Sequence, residues 1–479
     1  MKDMSDMQNT KNMKNMKNNT SKDMTQGNPT SLLLTFMLPM LVGNIFQQFY
    51  NMVDTMVVGK FVNADALAAV GSTGSITNLF FCLCNGLATG IGIIVSQYFG
   101  AKDLKKMRLS IINAFYIVVA SGLVMGTLGV LLARPVLILL STPDRILDNA
   151  VIYMQITCMG IIGTALYNAI ASILRGIGDS KTPLYFLIIS SILNIVLDLF
   201  FVIVLHWGVP GVAAATVFSQ LLSAVCSIAY AFIRNPLFSF GREEFLIDRF
   251  IIRECFRLGI PMALQTGMMA FSFVILQRVI NSFGPAVMAA WTATSRIETI
   301  INQPFRSLGN SISTYAGQNV GARKYDRVKL GTHSGLIMTT AFALVMLPII
   351  WFGGESIMLF FVKAEETEVI SIGVAALRML AFFYIPLGVI YVYRGTLNGA
   401  GDARFALLAG ISEMCGRIFF PGPISMISGV GFWGLWIGTG LTWVLVGVTA
   451  YLRYRTGIWQ YSGTHHRAHA QNRRKVSPA

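Results

Sequence analysis

Charge is what this 479-residue chain has little of: Asp, Glu, Lys and Arg make up 12% of it, against 54% apolar residues and a mean hydropathy of +0.61. So sparse a charge excludes a soluble globular protein of this length, because the apolar surface would exceed what one core can hide. Histidine (5) and cysteine (6) are scarce as well. Cys82, Cys84, Cys158, Cys226, Cys255 and Cys415 fall almost entirely inside apolar runs, which excludes a disulfide framework. The CxC at Cys82 and Cys84 points to two faces of a helix and reads as packing, not metal binding. No HExxH occurs. Residues 1–30, rich in Lys, Asn and Met, contain neither an apolar signal core nor a small-residue cleavage site, and read as a disordered cytoplasmic tail.

What the chain does have is apolar runs of about 20 residues, recurring twelve times between residues 32 and 452. These predict an all-α polytopic membrane protein of twelve transmembrane helices. Most of the 37 Lys and Arg residues fall in the loops and tails of one side, while Lys60, Arg134, Arg145 and Lys363 mark the other. The positive-inside rule then puts both termini in the cytoplasm of a cell inner or plasma membrane. The net charge of +15 is spread over short loops, so it reads as topology and lipid contact and excludes a nucleic-acid partner.

A shift of about 222 residues lays the chain on itself. Ser96-Gln-Tyr-Phe-Gly100 meets Gly317-Gln-Asn-Val-Gly321, LRGIGD from Leu174 meets LNGAGD from Leu397, Gly208, Gly211 and Thr216 meet Gly431, Gly434 and Thr439, and Pro39 meets Pro261. Because each half holds six spans, both copies enter the membrane from the same side and form a parallel repeat. The expected organisation is an N-terminal six-helix lobe at 31–233, a cytoplasmic linker at 234–257 with room for a short amphipathic helix, a C-terminal lobe at 258–455 and a basic cytoplasmic tail at 456–479.

Polar side chains form stripes inside the spans. Asn44, Gln47, Asn51 and Asp54 are spaced by three, four and three, on one face of the first helix. Ser190, Asn194 and Asp198 follow at intervals of four in the fifth, and Thr216, Gln220 and Ser223, spaced by four and three, in the sixth. An aspartate at the bilayer centre costs roughly 2.5–3.5 kcal/mol, so such acids mark an ion, proton or substrate path. No Lys or Arg stands at helical spacing to neutralise either one. The repeat is an internal control: Asp54 aligns with Leu276, Asn194 with Arg417 and Asp198 with Pro421, so the acidic chemistry belongs to the first half. Two buried carboxylates suit proton exchange, and with an amide and a hydroxyl they also form the oxygen-rich set a hard cation such as Na+ prefers. The residues allow either ion.

The second half carries its own buried charges. Glu413 and Arg417, at i, i+4, are spaced as a structural ion pair. Glu298 has only Arg296 near it in sequence and is a candidate contact for a cationic substrate. Met268, Met269, Phe271 and Phe273 are candidates for an adaptable apolar cavity wall, and Asn44, Gln47 and Asn51 are further substrate-cavity candidates.

The run LPMLVGNIFQQFYNMVDTMVVGKFVNADALAAVG, the loop SQYFGAKD, the junction ILRGIGDSKTP and the stretch NIVLDLFFVIVLHWGVPGVAAAT resemble the multidrug and toxic compound extrusion (MATE) family, over about Thr30 to Arg455. The resemblance implies a V-shaped pair of six-helix lobes and an antiporter that exports cationic or amphipathic organic compounds in exchange for Na+ or H+. It implies no cofactor beyond that coupling ion, small organic cations and membrane lipid as partners, and a monomer. Matched motif by motif, the family's first-lobe cation site falls on Asp54, Asn194, Asp198 and Thr216. Acids that one subgroup carries in its second lobe fall here on Met269 and about Leu387, so no second site of that kind is expected.

Two other readings compete. A flippase for lipid-linked saccharides would share the two-lobe plan and use Arg296, Arg306, Arg378 and Arg417 for a pyrophosphate. An intramembrane aspartyl protease would use GIGD (176–179) or GAGD (399–402), but its partner aspartate after a tyrosine is missing from every span.

Overall fold

The computed structural model describes residues 21–62, 64–140, 142–464 and 467, and all regular structure in them is helical. The first half comprises α1 (Pro29–Val57), α2 (Ala64–Gly100), α3 (Leu104–Leu139), α4 (Asp144–Met159), α5 (Ile161–Gly176), α6 (Lys181–Leu199) and α7 (Val209–Arg234). The second comprises α8 (Arg249–Asn281), α9 (Pro285–Gly321), α10 (Tyr325–Leu359), α11 (Thr367–Ala381), α12 (Tyr384–Gly399), α13 (Ala403–Phe419), the single turn α14 (Pro421–Ser425) and α15 (Gly434–Arg455). In each half one span is broken at the equivalent place: α4 and α5 meet at 43° around Gly160, α11 and α12 at 53° around Phe382. Counting each bent pair once, ten spans among the described residues are long and apolar enough to cross a bilayer by composition alone. The other two of the twelve are α9 and α13, whose polar residues lie inside the bundle: Gln303, Ser307, Ser311, Gln318 and Asn319 on α9 and Glu413 and Arg417 on α13 are all buried. Leu131, Leu139, Ile233 and Phe352 stand exposed on the periphery, as a lipid-facing belt requires.

Local chemistry sets the helix starts. Asn28 Oδ1 accepts from the Thr30 and Ser31 N–H groups with Pro29 in the first turn, Asp103 caps α3, and Asp248 caps α8. The first helix of each half packs on the second helix of the other, α1 on α9 and α8 on α2, which joins the halves. Glycine makes that approach possible. A Cβ on Gly100 would run into the Gln318 carbonyl, and one on Gly321 into the Gln97 carbonyl.

Three boundaries differ from the sequence expectation. Residues 1–20 of the expected N-terminal tail lie outside the described residues, but 21–28 are seated on the bundle, with Met24 fully buried. The linker is 235–248, because Asp248 caps α8 nine residues earlier than the apolar run begins. It forms two 3-10 turns, Pro236–Phe238 and Arg242–Phe245, and no longer amphipathic helix. Asn113 Nδ2 donates to the Leu246 carbonyl (3.0 Å), Asn113 Oδ1 accepts from the Asp248 N–H (2.9 Å), and Lys105 pairs with Glu243 at 2.6 Å, so the linker is folded onto α3. That lysine holds the exposed Glu243 carboxyl below its ordinary range. Of the expected C-terminal tail, 456–464 also packs, with Trp459 buried; residues 465, 466 and 468–479 lie outside the described ones.

Candidate functional site

Both acid-bearing helices of the first half change pitch just beyond their acid. After Asp54, α1 gives way to a π-helical turn at Val58–Val62, and after Asp198, α6 does so at Phe200–Val204. Such turns re-aim side chains at functional sites. Here the Asp54 and Asp198 carboxyl groups face each other across α1 and α6. Asn194, one turn before Asp198, is buried and donates its Nδ2 to Thr216 Oγ1 of α7 at 3.4 Å. The structure therefore brings Asp54, Asn194, Asp198 and Thr216 into one cluster.

What marks this cluster is an excess of acceptors. Asp54 Oδ1, Asn194 Oδ1 and both Asp198 carboxyl oxygens are buried and accept no hydrogen bond from an N–H or hydroxyl group. A buried acceptor left bare costs about 1–3 kcal/mol, more when charged. Two facing carboxylates in apolar surroundings cannot both keep their charge without a proton or a cation between them. Among the described residues no group of three or more His, Cys, Asp and Glu side chains comes together, so the oxygen set fits a hard monovalent ion or a proton better than a tightly held transition metal.

Sequence reasoning missed the tyrosines around this pair. Tyr50, one turn before Asp54, is reached by Gln47 and lies near both acids, and Tyr153 comes to them from α4. Tyr50 sat within the quoted stripe at i−4 from Asp54, which was a usable signal. Tyr153 had none, since α4 is brought in only by packing.

The remaining candidates do not join the cluster. Asn44 donates to Ser307 Oγ of α9 at 3.1 Å and ties the halves together. Asn51 is exposed and Gln47 half-buried. Met268 packs against Gly410 of α13, and Met269 is half-buried on α8 with its carbonyl accepting from Ser272. Glu298 belongs to a separate second-half cluster, where its charged neighbour is Arg417 and not Arg296. Glu413 is held between Arg394 at 2.8 Å and Arg417 at 3.0 Å, and Arg417 lies 3.8 Å from the centre of the Phe273 ring. Glu298 Oε1 and the Tyr384 hydroxyl have no partner there.

Comparison with known proteins identifies the family and the fold. The MatE family model matches residues 39–200 and 261–420, one copy in each half. The chain is 33% identical over 444 residues to the probable multidrug resistance protein YpnP of Bacillus subtilis, covering 91% of this chain and 97% of that one. It is 26% identical over 411 residues to the probable multidrug resistance protein YoeA of the same organism, covering 84% and 88%. A solved MOP superfamily transporter from Pyrococcus furiosus superposes with a TM-score of 0.85 at 21% identity, covering 91% of this chain and 98% of that one.

Proposed function

The chain belongs to the MatE family of multidrug and toxic compound extrusion transporters, and from that premise we propose that it is an antiporter exporting cationic or amphipathic organic compounds in exchange for Na+ or H+. The observation that carries the proposal is the set of bare buried oxygens on Asp54, Asn194 and Asp198. An ion entering from the outside neutralises the carboxylates; its release on the other side restores their charge. That change is the differential interaction a two-state transporter needs if ion movement is to bias its conformation. A proton fits as the shared occupant of the two carboxyls, Na+ as an ion held by them with Asn194 and Thr216. Both termini, and the loops rich in Lys and Arg, lie on the cytoplasmic side in this reading, and the chain works as a monomer.

The competing readings find little support. Arg378 donates to the Trp351 carbonyl at 2.9 Å and Arg417 is engaged by Glu413, so two of the four arginines a pyrophosphate would need are occupied elsewhere. The aspartates of both GxGD segments hold first-turn N–H groups of the following helix: Asp179 accepts from the Thr182 N–H at 3.0 Å, and Asp402, the N-cap of α13, accepts from the Phe405 N–H at 3.2 Å while pairing with Arg453 at 2.7 Å. Proteoliposomes with imposed Na+ or H+ gradients and a fluorescent organic cation test the proposal. Efflux driven by one gradient and lost in Asp198→Asn is the expected result, and efflux indifferent to both gradients overturns it.

A further inference from the structure

The repeated glutamines at the end of α2 and α9 are absorbed by neither the cation cluster nor the second-half charge cluster, yet both are fully buried. Each reaches into the opposite half. Gln97 Nε2 donates to the carbonyl of Gly399 at 3.0 Å, and Gln318 Nε2 donates to the carbonyl of Gly176, also at 3.0 Å. Gly176 and Gly399 are the first glycines of the two GxGD segments, so the two bonds are related by the internal repeat. The single side-chain oxygen of each glutamine is taken by a segment near one terminus. Gln318 Oε1 accepts from the Met24 N–H at 2.8 Å, and Gln97 Oε1 accepts from the Thr464 N–H at 2.7 Å.

Further bonds fasten the N-terminal segment. Lys324 Nζ donates to the Thr25 carbonyl at 3.0 Å, Arg327 Nη2 to the Gly27 carbonyl at 3.0 Å, and Asn319 Nδ2 to the Met24 carbonyl at 3.2 Å, all from the second half, while the Lys22 N–H donates to the Gly178 carbonyl of the first at 3.2 Å. Segment 22–27 therefore bridges the seam. At the C-terminal end the Gly463 backbone lies against both Gln97 and Val320, one from each half. Among the described residues, the hydrogen bonds between the halves all lie at this end of the bundle or on the adjoining part of α1, Asn44 being the deepest.

We infer that Gln97 and Gln318 are gate residues of the transport cycle, paired latches that hold the halves together on the side of the chain ends, each locked by one terminal segment. This rests on the two-state antiporter proposed above, in which that side must open once per cycle; opening it breaks both Gln–Gly bonds and draws Met24 and Thr464 off the glutamine oxygens. The bonds are neutral, so releasing them leaves no buried charge behind. A buried neutral latch of this kind shifts a two-state equilibrium by roughly five- to tenfold, enough to bias it and small enough to be reversed by ion or substrate binding.

The test uses the full chain in lipid nanodiscs, native cysteines replaced, with spin labels at Lys181→Cys and Arg404→Cys, exposed residues just past the two GxGD segments. Electron–electron resonance distances read the closed-to-open ratio. Gln97→Ala and Gln318→Ala are each expected to raise the open population roughly five- to tenfold, and both together more. Gln97→Glu keeps an acceptor for Thr464 but sets a buried carboxylate against the Gly399 carbonyl, so it should open the gate at least as far as Gln97→Ala. A chain ending at Ser462 keeps the buried Trp459 and every span and should reproduce the loss of the Thr464 bond even if the alanine variants fold poorly. An unchanged distance distribution in the truncated chain and in folded Gln97→Ala and Gln318→Ala overturns the gate. The labels report on the gate alone: shifted distances without ion-coupled efflux would keep the latch and reject the antiporter, and efflux with unshifted distances would do the reverse.

Discussion

The two halves of this protein share a seam and differ in what they bury. Gln97 and Gln318, Gly100 and Gly321, and the GxGD turns after Leu174 and Leu397 occupy matching positions and make matching contacts. Where the first half places Asp54, Asn194 and Asp198, the second has Leu276 in the apolar core, Arg417 on Glu413, and Pro421 opening the short turn α14 after α13 breaks. Duplication kept what joins the halves and let the chemistry diverge. The first half holds acceptors without donors, the second a charge network of which Glu413 is nearly satisfied, and that asymmetry is why we assign ion coupling to one half only.

The sharpest way to break the comparison is to remove the acids. Asp198→Asn and Asp54→Asn should each reduce gradient-driven efflux to background in proteoliposomes while membrane yield is kept, whereas Glu298→Gln should leave ion coupling intact and change only the concentration dependence for the organic cation. Loss of ion coupling in Glu298→Gln, with both aspartate variants active, would move the coupling site to the second half. Next in size is Glu413→Gln. It strips the shared carboxylate from two buried guanidinium groups and should destabilise the fold by about 3 kcal/mol, read as a lowered thermal midpoint in detergent. The seam predicts symmetry: Gly100→Ala and Gly321→Ala should each cost about 1–3 kcal/mol and agree with one another, since each Cβ meets the backbone carbonyl of the opposite glutamine. Smallest is a pair of equivalent threonines. Thr216→Val removes the hydroxyl that meets Asn194 and should lower efflux about three- to tenfold. Thr439→Val, at a hydroxyl that bonds only the Leu435 carbonyl of its own helix, should leave efflux unchanged.

Much of this was legible in the residue order. The spans follow from hydropathy, the two halves from the matched loops, and the Asn194–Asp198 face from a spacing of four, because each depends on residues close in sequence or on simple self-comparison. The acid pair was legible for the same reason: one intramembrane aspartate already demands an explanation. The same periodicity does not tell Asn51, which shares the stripe and stands exposed, from Asp54, whose Oδ1 is buried, because the packing around α1 decides which part of a stripe is covered. The charged residue nearest in sequence to Glu298 was Arg296, yet Arg417, more than a hundred positions away, is the one that faces it.

By itself, then, the sequence determined a duplicated twelve-helix membrane protein with two buried acids in its first half, since hydropathy, repetition and helical period are local properties. Only the tertiary structure decided that Asp54 and Asp198 face one another, that Tyr153 joins them, and that each conserved-by-duplication glutamine holds the opposite half and one chain end. Those contacts depend on how helices distant in sequence are set in register, and a one-turn slide of any of them would change the partners without changing a single residue.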